Sequence, residues 1–171
     1  MEGEQEQEER VRADIAEHGW HVALVPPERE TPGWAHTIGL VEGFEHPEIL
    51  VFGTELQLLH RLLNQLGARI HAGDRFGVES EHAGILEGFA IAFQPVAAKW
   101  YGAFLGNAAW HYRSEDFPVV QCFWPDSAGR FPWQSDCLAE VRAQQPQLFL
   151  KETHRALSET LIEVLRTERA L

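Results

Sequence analysis

The chain is poor in cysteine, methionine, tyrosine and positive charge. It has two Cys, one Met, two Tyr, and 14 Lys and Arg against 26 Asp and Glu in 171 residues. Cys122 and Cys137 form no Cys-x-x-Cys pair, so they read as free thiols of a reducing compartment rather than as zinc ligands. The shortage of cations leaves a net charge of −12. A nucleic-acid binder needs a basic face for phosphates and is excluded on that ground. The same charge favours solubility and attraction to a basic protein partner. No run of about 18 apolar residues is present, so no membrane helix is expected. The start, MEGEQEQEER, has neither the basic beginning nor the apolar core of a signal peptide, which points to the cytoplasm. Gly-x-x-x-x-Gly-Lys, Gly-x-Gly-x-x-Gly and Gly-x-Ser-x-Gly are all missing, which excludes the familiar nucleotide loops and the nucleophile elbow.

What remains is an ordinary globular composition, 44% hydrophobic and 23% charged, at a length that suits one domain. The acidic first turn predicts a helix ending at Gly19. Trp20, Val22 and Leu24 alternate in a strand over 20–25. Strands are also predicted at 34–40, 48–52, 88–96 and 118–124, with a short one at 74–78. Between them, Leu58, Leu59, Leu62, Leu63, Leu66 and Ile70 make one apolar helical stripe, and Thr54 and Gln57 have capping-box spacing, predicting a helix over 54–72 across one face of the sheet. A helix over 98–112 and an amphipathic C-terminal helix over 148–170 complete the pattern, the latter presenting Leu157, Leu161, Val164 and Leu165. Strands and helices mix without regular βαβ alternation, so the class is α+β.

The stretch FWPDSAGRFPW, residues 123–133, concentrates aromatic rings, two prolines and one aspartate around a turn. Asp126 can bond its own backbone, and Gly129 supplies a positive φ. It reads either as an aromatic corner closing the core or as the rim of a cleft, since Trp is enriched at binding hot spots. On the second reading the candidate binding residues are Trp34, His36, Gln121, Trp124, Asp126 and Trp133, with Trp124 buried and Trp133 nearer the ligand. His46 and Glu48 have the spacing of a base and its orienting acid, or they satisfy nearby backbone where Pro47 leads into a strand. His18-x-x-His21 has a spacing seen in metal sites but joins a helix end to a strand, so no bound metal or other cofactor is expected. Cys122 lies within an apolar strand and reads as a buried thiol.

The segments GWHVALVPP, TPGWAHTIGLVEGFEHPEILVFG, GDRF, EGFAIAFQPV and EDFPVVQCFWPDSAGRFPW together resemble the bacterial family known as domain of unknown function 4262, over about residues 10–135. The family's usual aromatic residue before Thr-Ile-Gly-Leu is replaced here by His36. A more distant resemblance, in the order of a Trp-led strand, a Glu-Leu strand, a long helix, a Gly-Asp turn and an apolar strand, is to Suppressor-of-fused-like domains. That resemblance implies a protein-binding module, of the kind that in bacteria serves as an immunity protein against a toxin. Three functions are therefore carried forward. One is a protein-binding module for a basic partner such as a toxin. Another is a small-molecule or metal-dependent enzyme using His46, Glu48, Gln121 and Asp126 beside aromatic walls. A scaffold without a pocket is the third.

Overall fold

Alternating apolar residues pair into one sheet, and helices cover both of its faces. The computed structural model describes residues 2–29 and 31–171. Helix α1 (Glu2–His18) precedes strands β1 (His21–Val25) and β2 (Gly33–Ile38), and a short α2 (Leu40–Phe44) leads into β3 (Glu48–Gly53) and the long α3 (Leu56–His71). The hairpin of β4 (Ser80–Leu86) and β5 (Phe89–Pro95) follows, then α4 (Tyr101–Phe104) and α5 (Gly106–Tyr112). Strand β6 (Val119–Phe123) is followed by three short helices, α6 (Ala139–Gln144), α7 (Thr153–Ala156) and α8 (Glu159–Thr167).

The strand order is β1-β2-β3-β6-β5-β4, antiparallel throughout except for the parallel pair β3 and β6. The fold is α+β. Strand β3 is buried along its whole length, as a central strand covered on both faces must be. Its Ile49 and Val51 face the α3 stripe of Leu59, Leu62, Leu63, Leu66 and Ile70. Leu50 and Phe52 face the other way, into a core with Trp100, Phe104 and Leu105 and with Leu148, Leu157, Leu161 and Leu165 of the C-terminal segment. Each such leucine contributes about 1.5–3 kcal/mol on burial. The C-terminal helices thus pack on their own domain.

Several elements differ from the sequence reading. Helix α3 starts at Leu56 behind Glu55, with no side-chain cap, so the Thr54–Gln57 box is not formed. Leu58 is 50% exposed, because the buried stripe is centred one residue further round the helix. Residues 74–78 are a loop, and the strand lies at 80–86 instead. An edge strand with one wet face carries polar residues and hides from apolar pattern reading. The expected 98–112 helix begins as a 3-10 turn and breaks at Leu105, between Gly102 and Gly106. The expected 148–170 helix is interrupted by extended Leu157, after which the Ser158 hydroxyl caps a new helix by accepting from the Leu161 N–H.

Candidate functional site

Glu48, at the start of β3, is buried, and its carboxylate is saturated. Oε1 accepts from the Gly39 and Val41 N–H groups and the Tyr112 hydroxyl, each at 3.0 Å, and Oε2 accepts from the Thr37 hydroxyl at 2.9 Å. Thr37 in turn accepts from the Ile49 N–H at 2.9 Å. Burial raises the Glu48 carboxyl above the usual range, and these hydrogen bonds offset part of that rise. Burial likewise raises the Tyr112 phenol, and the neighbouring carboxylate adds to it. Gly39 closes the knot with φ +115°, and a Cβ there would stand 2.8 Å from the Gly19 carbonyl oxygen. The Thr-Ile-Gly-Leu and His-Pro-Glu segments therefore meet as one buried hydrogen-bonded joint between β2, α2 and β3.

His46 does not pair with Glu48. Its Nδ1 donates to the Pro47 carbonyl at 2.7 Å, and its Nε2 accepts from the Phe76 N–H at 3.0 Å, which sets the neutral tautomer. Burial lowers its pKa, despite the opposing Pro47 bond. His36 is fully buried on β2, its Nδ1 3.3 Å from the Thr37 carbonyl, and burial pulls its pKa down to about 4. Gln121 donates to the Pro146 carbonyl at 2.6 Å and accepts from the Leu148 N–H at 3.2 Å, clamping the C-terminal segment to the sheet. His18 is exposed beside Glu17, while His21 turns to Asp14 at 2.6 Å, so the two histidines have different partners. Burial raises the Cys122 thiol well above its ordinary value.

Within the 123–133 stretch, Asp126 organises the loop. Its Oδ1 accepts from the Ala128 and Arg130 N–H groups at 2.9 Å, and its Oδ2 accepts from the Arg130 guanidinium at 2.9 Å and the Leu138 N–H at 3.0 Å. Burial pushes this carboxyl up, but the four hydrogen bonds outweigh it and hold the pKa at about 2. Trp124 is half-buried; its indole donates to the Phe52 carbonyl, and its backbone is bracketed by the Gln145 amide. Trp133 is 37% exposed. It stacks on Phe131 at 5.1 Å and 9°, edge-on to Phe123 and Phe149. Trp34 donates to the Phe104 carbonyl and packs in the core.

Two concavities border this stretch. Trp124 and Pro125 line a groove of about 760 Å³ shared with α3 and the tip of the β4–β5 hairpin. Trp133 and Phe131 line a separate pocket of about 360 Å³ against Glu79, Ser80 and Glu81. Trp34, His36, Gln121 and Asp126 line neither, and the six candidate residues do not converge on one cleft. Glu79, Glu81, Leu58 and Phe89 were not among the candidates. Glu79 and Glu81 come with β4, which the pattern of apolar residues did not reveal, whereas Leu58 and Phe89 lie in predicted elements, where Leu58 was read as part of the buried stripe.

Fold and site together define a mixed-sheet α+β domain whose conspicuous polar residues hold loops in place. Residues 14–138 match the family described as Domain of unknown function (DUF4262), and the chain belongs to it. Helices α6–α8 lie outside that match, and α7 and α8 with Leu148 complete one face of the core. No curated protein and no solved structure matches the chain, so the Suppressor-of-fused-like pattern gains no support from them.

Proposed function

We propose that this protein is a protein-binding module for a basic partner, and that the aromatic corner at Trp133 is where the partner docks. The observation that carries this reading is the chemistry of the pocket. An exposed indole, stiffened by its stack on Phe131, stands beside Glu79 and Glu81, and no Lys or Arg is among the lining residues. The nearby cations, one in the loop and one on α6, are engaged elsewhere. Arg130 pairs with Asp126 and Asp136, and Arg142 donates to the Pro132 and Gln134 carbonyls. A guanidinium or ammonium over a Trp face gains about 0.5–2 kcal/mol, more as it is desolvated. Flanking carboxylates and the overall charge of −12 speed its capture. An immunity protein for a basic toxin is one form this role takes.

The alternative, an enzyme built on His46, Glu48, Gln121 and Asp126, asks those groups to serve a substrate. Each is instead engaged by backbone or side-chain partners, as described above, and they lie in separate joints of the fold. Binding is the better-supported function.

Capture experiments with immobilised protein test the reading. Wild-type, Trp133→Ala and Glu79→Gln/Glu81→Gln proteins are compared at equal density on lysate of the producing cells. Proteins retained by the wild type and lost by both variants are expected to be basic, with retention falling as salt rises. The reading fails when the variants retain the same proteins as the wild type, or when those lost carry no excess of positive charge.

A further inference from the structure

The parallel strands β3 and β6 lie side by side and run the same way, so Gly53 and Phe123 end at one edge of the sheet. From that edge the chain departs in opposite directions. After β3 it enters α3, which packs on the face containing Ile49, Val51 and Val120. After β6 it runs through the 124–138 loop to Leu148, Leu157 and Leu161, which pack on the face containing Leu50 and Phe52. Where adjacent parallel strands send their connections to opposite faces, the two connections cannot fill the space beyond the strand ends. A crevice opens there, and in open sheets this is where ligands bind.

The 760 Å³ groove occupies that position. Its size falls within the range of small-molecule sites. Leu59 and Leu62 underlie it, and Trp124 and Pro125 form the wall at the end of β6. Leu58 of α3 and Phe89 at the hairpin tip, 50% and 40% exposed, both line it as apolar lips. Large side chains left open to water on both sides of one groove gain from an apolar occupant.

The polar rim is rich in acceptors. Glu55 and Glu87 supply carboxylates, against one cation, Arg61. Gln65 uses its amide N–H on the Ile85 carbonyl and Gln144 uses its own on the Glu140 carbonyl, so each offers its amide oxygen. Glu55 also offsets the partial positive charge at the start of α3, which would otherwise favour an anion.

We infer that this crevice is a binding site for a small apolar amine, a hydrocarbon or aromatic body bearing one protonated amino group. The body lies between Leu58, Phe89 and Trp124, and the ammonium meets the acceptors of the rim. The site stands apart from the Trp133 pocket, shares no lining residue with it, and is tested independently.

A chain-matched series of n-octylamine, n-octanol and octanoate, titrated below their micelle concentrations and followed by amide chemical shifts, separates apolar from charge recognition. The amine is expected to bind tightest, about fivefold over octanoate, the effect of a pair of exposed carboxylates. The shifts are expected over Gly53–Leu62, Glu87–Phe89 and Trp124. Glu55→Gln/Glu87→Gln narrows the preference to about twofold while leaving octanol unchanged. Leu58→Lys, at an exposed site where folding is safe, weakens the alcohol through the lost apolar contact and the amine further through its added charge, and an unchanged amide spectrum elsewhere confirms the fold. Octanoate binding as tightly as the amine, shifts mapping to another surface, no saturable binding by any of the three, or binding indifferent to Leu58→Lys overturns the inference.

Discussion

The indole N–H of Trp124 donates to the Phe52 carbonyl at 2.8 Å, tying the ends of the two parallel strands β6 and β3 together across the sheet edge. Gln145 holds the same tryptophan by its backbone, its amide accepting from the Trp124 N–H and donating to the Trp124 carbonyl. The residue is thus both a strand-end fastener and a wall of the crevice. Trp124→Phe keeps the ring and removes the donor, leaving the Phe52 carbonyl without that partner. The expected loss is about 1–2 kcal/mol in urea unfolding. Trp124→Ala, which also opens a space, is expected to cost about 3 kcal/mol. A Trp124→Phe protein as stable as the wild type would show that the hydrogen bond contributes nothing.

The Glu48 joint predicts a different pattern. A carboxylate there receives four donors, and an amide can offer them only one acceptor oxygen while turning its own N–H₂ toward other donors. Glu48→Gln is expected to lose about 1–3 kcal/mol, and Glu48→Ala more than that. Tyr112→Phe removes a single donor and is expected to cost about 1 kcal/mol. Equilibrium denaturation of the three variants checks the order, and a Glu48→Gln protein as stable as the wild type contradicts it.

Gly67 on α3 lies directly beneath the Trp20 ring, where an added Cβ would stand 2.4 Å from the nearest ring carbon. The helix gains nothing from glycine at that point, yet alanine is expected to destabilise by about 1–3 kcal/mol, because the indole must move and strain its neighbours. Trp20 is also tied to Asn64 by its indole N–H at 3.0 Å, which limits that movement. Thermal melts of Gly67→Ala, with and without Trp20→Phe, test the contact. The second substitution should recover part of the loss, and no recovery would mean that the clash lies elsewhere.

Stability is expected to fall as the medium is acidified from neutrality. His36 titrates near 6.5 in an unfolded chain but near 4 in its buried position. Between those values the unfolded chain carries a proton that the folded one lacks, so folding is favoured above 6.5 and loses ground as pH falls toward 4. For a fully buried group the span corresponds to about 3 kcal/mol. His46, also lowered, acts in the same sense. Glu48 acts in the opposite one, since its raised carboxyl takes up a proton in the folded state first. Denaturant unfolding from pH 7 to pH 4.5 is expected to show a shallower fall for His36→Leu than for the wild type, and parallel curves would remove His36 as a cause.

Much of the architecture was legible in advance because period and burial are local properties of a chain. The α3 stripe and the five apolar strands carry their spacing in the sequence, and each was found where that spacing put it. The family resemblance was also legible, because its motifs are contiguous. Strand β4 was not, since its Glu81, Ala83 and Gly84 are exposed and an edge strand needs only one apolar face. The interruption at Leu157 was missed because the leucine pattern continues across it while the backbone does not.

The site divides in the same way. The turn chemistry of Asp126 and Gly129 follows from residue types close together in the chain, whereas the half-burial of Trp124 and the exposure of Trp133 do not. Nor does what each polar side chain faces. Glu48 and His46, two residues apart, belong to different joints, one reaching Gly39 and Tyr112 and the other Phe76. Composition and pattern by themselves determined an acidic α+β domain with a stiff aromatic turn. Only the tertiary structure decided that Trp124 and Trp133 border separate hollows, and that β3 and β6 run parallel with their exits on opposite faces. Those outcomes depend on contacts between residues far apart in sequence, and strand order and direction are set by the packing of the whole sheet.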